Sequence, residues 1–186
     1  MKNNRLVLIT LLLSTILAAV LIAQNIPGAP PKPRARAVKL SAPQVLEAYV
    51  VAVLDGDTID VVKDQQKTRV RLQGIDAPEK AQAFGSVSRE HLASLVFNRN
   101  VRVLWSETDR YGRTLGKIEV DGKDVCLQMI EAGLAWHFKR YEQSQSPEDR
   151  IAYAQAEAVA RQSKSGLWSD PAPVAPWDFR HPKGTK

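Results

Sequence analysis

Between Ala48 and Val120 the chain breaks repeatedly into short segments rich in β-branched residues, each closed by a turn signal, and this punctuation restricts the fold more than any other feature. Ala48 to Leu54 is a continuous apolar run that reads as a strand buried on both faces. Asp55-Gly56 marks a tight turn, after which Ile59 and Val61 alternate with polar neighbours in a second strand. In the third, the period of two puts Val70 and Leu72 on one face and Arg69, Arg71 and Gln73 on the other. Val101 to Trp105 and Leu115 to Val120 read as two further strands, joined by the polar segment Glu107 to Arg113 with Gly112 for the turn. Parity puts Arg113 on the side of Lys117 and Glu119, opposite Ile118 and Val120.

Three stretches have helical spacing. Ser86 to Phe97 carries Leu92, Leu95 and Val96 at core positions. Lys123 to Ala132 ends at Gly133, a C-terminal cap. Ser146-Pro147-Glu148-Asp149 opens a third helix, with Ser146 as N-cap and Pro147 at its first position, running to Lys164 before Gly166. The predicted class is α+β: an OB-type barrel of five short antiparallel strands with about three helices, an architecture whose open face and loops suit oligonucleotides. The folded domain is placed at residues 44–170, with an irregular, proline-rich tail at 171–186.

Residues 1–43 have another character. Lys2 and Arg5 precede the uncharged run from Leu6 to Ala23, which reads as a membrane anchor or signal peptide at residues 1–23. Leu21 stands where a cleavage site wants a small residue, which favours an uncleaved anchor. The expectation is an exported protein, anchored and facing away from the cytoplasm, or secreted or periplasmic if the segment is removed. Residues 24–43 hold Pro27, Pro30, Pro31, Pro33 and Pro43 and read as an extended basic linker. The formal net charge of +6 lies wholly in this part: six of the 26 basic residues and no acidic ones fall in residues 1–39, leaving 20 to face the 20 acidic residues. The folded part is therefore neutral, and nucleic-acid binding must rest on local clusters rather than on overall charge.

Cys126 is the single cysteine, which excludes an internal disulfide and a cysteine-rich metal site. It shares a helical stripe with Ile130 and reads as a buried apolar residue. His91, His137 and His181 are scattered without ligand spacing, which disfavours zinc or histidine-based catalysis.

The chemistry concentrates in Asp55-Gly56-Asp57-Thr58 and in Arg69-Val70-Arg71-Leu72-Gln73-Gly74-Ile75-Asp76-Ala77-Pro78-Glu79. Asp55, Asp57, Asp76 and Glu79 stand beside turn signals, and carboxylates brought to one mouth repel unless one is protonated or a cation sits among them. Oxygen donors on loops suit a hard cation such as Ca²⁺ or Mg²⁺. Arg71 and Arg113 offer planar forks that match phosphate oxygens. Cation, arginines and a carboxylate to activate water are the parts that phosphodiester hydrolysis requires. Each piece also has a plain alternative: a hairpin at Asp55-Gly56, surface ion pairs of Arg71 with Asp76 and of Arg113 with Asp109, and packing for a strand-end tyrosine such as Tyr111. Trp136, Trp168 and Trp177 read as core or domain-closing residues.

Taken together and in order, these segments resemble the staphylococcal nuclease-like, or thermonuclease, family. The resemblance extends through Asp109-Arg110-Tyr111-Gly112-Arg113-Thr114-Leu115-Gly116, Gly133-Leu134-Ala135-Trp136, Ala156-Glu157 with Ala160-Arg161, and Gly166-Leu167-Trp168, with Pro176-Trp177 and Arg180 echoing a tail of its bacterial branch. It implies that Asp57 and Asp76 bind Ca²⁺ with the backbone carbonyl of Ala77. It further implies that Glu79 is the general base, that Arg71 and Arg113 hold the scissile phosphate, and that Tyr111 and Tyr141 contact the nucleotide. The implied activity is cleavage of DNA and RNA to 3′-phosphate products; membrane association is expected separately, through the N-terminal apolar segment, and the protein is expected to be a monomer. Ala77 departs from the threonine of the best-known member, and the loop from Glu79 to the first helix is short. The alternative is a noncatalytic OB-type binding module tethered to the membrane.

Overall fold

The computed structural model describes residues 44–182. The apolar segment 1–23 and the linker 24–43 lie outside the described residues. Five strands form the barrel: β1 (Gln44–Val53), β2 (Thr58–Lys63), β3 (Gln66–Leu72), β5 (Asn100–Thr108) and β6 (Thr114–Val120). Their order is β3-β2-β1-β5-β6, and β3 pairs with β6 to close the ring. Neighbours along that order are antiparallel, but the closing pair is parallel, with Val70 opposite Thr114, Arg71 opposite Leu115 and Leu72 opposite Gly116. This departs from an all-antiparallel expectation for a topological reason: alternating directions around an odd number of strands must leave one parallel neighbour. Register shifts after Val50 in β1 and after Trp105 in β5 bend the strands toward closure.

Alternation decides what each strand buries. Ala48, Val50, Ile59, Val61, Val70, Leu72, Val101, Val103, Ile118 and Val120 fill the core. β1 is not buried on both faces as its apolar run suggests. Tyr49 and Val51 are 42% and 40% exposed, because alternation along β1 turns them away from the core that Ala48 and Val50 enter. Helix α1 (Gly85–Val96) adds Leu92 and Val96 to the core, and α2 (Val125–Glu131) adds Cys126, Met129 and Ile130. Burial pushes the Cys126 thiol well above its ordinary range. Helix α2 starts two residues later than its sequence pattern suggests. Lys123–Asp124 forms the short strand β7 against β6, and the Asp124 carboxylate caps the helix by accepting the Leu127 N–H at 3.1 Å.

Helix α3 (Pro147–Gln162) begins as its sequence predicts, with Ser146 Oγ accepting the Asp149 N–H at 3.0 Å. Helices α2 and α3 end in the same way. Gly133 and Lys164 take left-handed backbone conformations, φ 67° and 53°, and in each case the N–H of that residue and of the one after it return to the last turn of the helix. The two ends meet, since the Leu167 N–H donates to Gly133 O at 2.9 Å and a Cβ on Gly133 would overlap the Ser165 carbonyl. That junction sets Trp168 against Trp136, with ring centroids 4.3 Å apart.

Three elements were not expected from the sequence pattern. Ile75–Asp76 (β4) pairs with Trp136–His137 (β8), Asp76 lying opposite Trp136. The tail expected to be irregular contains a short helix, α4 (Pro176–Arg180), whose Trp177 stacks on Phe138 and meets Trp136 edge-on.

The two helix ends call for opposite substitutions. Gly133→Ala combines left-handed strain with a steric overlap and is expected to cost about 2–4 kcal/mol. Lys164→Gly removes the strain of a β-carbon there and is expected to stabilise by about 0.5–1 kcal/mol. Urea denaturation midpoints measure both, and shifts of the same sign would refute this account of the junction.

Candidate active site

Asp57 enters the site through its turn. Its N–H donates to Asp55 Oδ1 at 2.9 Å, so Asp55 shapes the bend, and the Leu54 N–H closes the turn on Thr58 O at 2.9 Å. Gly56 is needed there for space: a Cβ would overlap Ser88 of α1 and come within 2.6 Å of Ala77 Cβ. The Asp57 carboxylate therefore faces inward. Its Oδ2 accepts the Ala77 N–H at 2.7 Å and its Oδ1 accepts the Thr58 hydroxyl at 3.2 Å. Burial is the largest influence on its pKa and pushes it up to about 7, with Arg71 opposing and Asp55 and Asp76 adding to the rise.

Arg71 leaves β3 on the face opposite Val70 and Leu72 and curls around the turn that follows. One terminal nitrogen donates to Leu72 O and Ile75 O, both at 3.0 Å. The other lies 3.0 Å from Asp57 Oδ2 and 2.8 Å from Asp76 Oδ1. A single cationic nitrogen is thus gripped by two carboxylates. Asp76 is the more deeply buried of the two, with a side chain 1% exposed, and is fixed by the β4 pairing.

Glu79 is held by the short loop before α1. Its N–H donates to Gln82 Oε1 at 3.1 Å, its carbonyl accepts the Gln82 N–H at 2.8 Å, and Gly85 packs on that same carbonyl. Its carboxylate, 38% exposed, accepts Arg180 Nη1 at 2.6 Å. Arg180 Nη2 also donates to Asp76 Oδ2 at 2.7 Å, and Nη1 to Asp76 Oδ1 at 3.2 Å. Asp57, Asp76 and Glu79 are thereby joined into one cluster by two guanidinium groups.

Arg113 stands just before Thr114, which pairs with Val70 beside Arg71. Its guanidinium is engaged with Asp109 Oδ2 at 2.7 Å and lies 5.6 Å from the Tyr111 ring centroid. Burial would raise the Asp109 pKa, but hydrogen bonds from the Arg113 N–H and side chain and from the Tyr111 N–H outweigh it and hold the carboxyl below its ordinary value. Both ion pairs that the plain reading anticipated, Arg71 with Asp76 and Arg113 with Asp109, do form. Tyr111 does not pack: it is 74% exposed, with Arg110 on one side and Arg113 on the other. Tyr141 lies in the 3₁₀ segment Lys139–Ser144, is 56% exposed, and meets Phe138 at a ring distance of 5.4 Å.

A family model for staphylococcal nuclease homologues matches residues 69–170. Among similar proteins, protein ParB of Escherichia coli is 44% identical over 144 residues, covering 73% of this chain and 79% of its own. The micrococcal nuclease of Shigella flexneri is 44% identical over 140 residues, covering 70% and 78%. An uncharacterized endonuclease of Escherichia coli O157:H7 is 45% identical over 139 residues, covering 74% and 87%. The chain belongs to the staphylococcal nuclease homologue family.

Membership gives the cluster a cation to be tested against. Among the described residues no three acidic, histidine or cysteine side chains converge as a metal cage. The oxygen donors present nevertheless fit a hard cation in one respect that matters. Asp57 Oδ2 and Asp76 Oδ1 already close on one positively charged atom, the terminal nitrogen of Arg71, at 3.0 and 2.8 Å. Arg180 is the residue that motif reading left out of the site. Its signal was present in Ala175-Pro176, where a proline suited to a first helical turn precedes Trp177, an apolar anchor.

Removing Arg71 would leave two buried carboxylates facing each other. Arg71→Met is expected to destabilise the domain by about 3–5 kcal/mol, and adding Asp57→Asn to recover part of that loss. Equal urea midpoints for the single and double variants would show that charge compensation is not what Arg71 supplies.

Proposed function

We propose that this staphylococcal nuclease homologue is a Ca²⁺-dependent nuclease that hydrolyses DNA and RNA with little sequence preference. The observation that carries this reading is the linkage of Asp57, Asp76 and Glu79 into one cluster, Arg71 joining Asp57 to Asp76 and Arg180 joining Asp76 to Glu79. Two of these carboxylates are buried and one is half-exposed, and that division suits two roles. Asp57 and Asp76, with the Ala77 carbonyl, would hold the cation, which supplies charge to stabilise the phosphate as it reacts. Glu79 has solvent access and a backbone fixed by Gln82, as a general base for water requires. Arg71 and Arg113 would bind the phosphate oxygens, Arg113 by exchanging its Asp109 partner for substrate. Tyr111 and Tyr141, both exposed, would stack on bases, which is tolerant of sequence because every base has a π-face. The names of the relatives support the nuclease part of this reading; the 3′-phosphate outcome rests on the resemblance to the family.

The test is cleavage of single-stranded DNA and of RNA with Ca²⁺ and with EGTA. Activity is expected only with Ca²⁺, and Glu79→Gln is expected to lower kcat by about 10²–10⁴-fold with little change in KM. Binding of both substrates without turnover would instead support the noncatalytic module. Tyr111→Ala and Tyr141→Ala are expected to raise KM by about fivefold or more each, in keeping with the loss of one stacked base. An unchanged KM in both would remove the tyrosines from the substrate path.

A further inference from the structure

Three carboxylates meet two guanidinium groups in the cluster, and the second, Arg180, has no place in the reaction described above. It occupies both oxygens of Asp76 and one of Glu79, at 2.7, 3.2 and 2.6 Å. A guanidinium stays protonated at any ordinary pH, so its charge is permanent. It does not arrive by accident of a loose terminus. Trp177, three residues earlier, stacks on Phe138 and meets Trp136, both at 5.4 Å, while Ala175 and Pro176 are buried and Gln82 Nε2 donates to Val174 O at 2.5 Å. Gln82 is also the residue that fixes the Glu79 backbone. The tail is therefore docked at two points on either side of the base.

We propose that Arg180 is a positioning residue that stands in for the divalent cation: it neutralises and orients Asp76 and Glu79 in the cation-free protein and must give up Asp76 when the cation binds. The reasoning is one of valence and charge. Asp76 Oδ1 already accepts from Arg71 and from Arg180, and its Oδ2 accepts from Arg180, so a cation approaching Asp76 meets an oxygen set occupied by a like charge. Exchange resolves the conflict. Because Arg180 is 38% exposed, it has solvent to move into, whereas Arg71, 13% exposed and hydrogen-bonded to two carbonyls, does not. Arg180 thus prevents carboxylate repulsion in the empty site at the expense of cation affinity.

This inference rests on the reading of Asp57 and Asp76 as cation ligands, and calorimetric titration of the purified full chain with CaCl₂ separates the two. Arg180→Gln, which stays polar but is shorter and loses the charge, is expected to bind Ca²⁺ about tenfold tighter than wild type, and Arg180→Lys to stay within about threefold of it. A purely structural role would give the opposite sign, because a loosened site binds more weakly. Trp177→Ala leaves every carboxylate in place while freeing α4, and it too should bind Ca²⁺ more tightly, which decides the matter if the Arg180→Gln variant does not fold. Wild type that binds Ca²⁺ alongside variants of equal or lower affinity would overturn the role of Arg180 alone. Absence of binding in wild type and all variants would overturn the cation reading and this inference together.

Discussion

The buried carboxylate of Asp76 is the point on which the site and its surroundings depend. An ionised carboxylate with a side chain 1% exposed is tolerable only if paired and hydrogen-bonded, since its effective desolvation penalty is several kcal/mol. The two arginines that meet this need come from opposite ends of the domain, Arg71 from a barrel strand and Arg180 from the last helix. The backbone completes a circuit around the same residue. Asp76 pairs with Trp136, Trp136 touches Trp177, and Trp177 positions the helix that returns Arg180 to Asp76. Tail docking, the β4–β8 pair and the charge balance of the site are consequently one structural problem.

Barrel closure explains why residues so far apart in sequence meet. With five strands one neighbour pair must be parallel, and here it is β3 with β6. Arg71 thereby lies opposite Leu115, two residues beyond Arg113, so the arginine-bearing edge of β3 and the exposed loop at Tyr111 share one end of the barrel. The Leu72 N–H, donating to Asp57 O at 2.8 Å, joins the first turn to that same edge. Gly56 allows the turn to sink against Ala77 and Ser88, which is why an Asp-Gly pair that resembles an ordinary hairpin turn aims Asp57 inward rather than at solvent.

Much of this was legible in the chain. Alternation placed Arg71 opposite Val70 and Leu72, the turn signals bounded the strands, and Ser146-Pro147 marked the start of α3 where the structure has it. The features that escaped were those set by partners rather than by local pattern. β4 and β8 are two residues each, too short for periodicity, and exist because each satisfies the other's backbone groups. The exposure of Tyr49 and Val51 follows from which face of β1 turns away from the core, and an apolar run does not encode that. Helix α4 and Arg180 escaped because four prolines in a short tail suggest disorder, although a proline at a first helical position is itself a helix signal.

The balance of charge in the cluster also constrains how a polyanion can approach. Residues beyond 39 are neutral as a set, and the cluster sets three carboxylates against two guanidinium groups, so it carries no positive excess to draw a phosphate. On the proposed reading, a divalent cation reverses the sign of the cluster, and any guanidinium released from Asp76 strengthens the reversal. On the same reading, exposed Tyr111, with Arg110 and Arg113 each 5.6 Å from its ring centroid, would hold a nucleotide nearby without depending on that reversal, through stacking and a charge that is partly neutralised by Asp109. Substrate attraction and catalytic competence are then governed by different groups, with only the second tied to the cation.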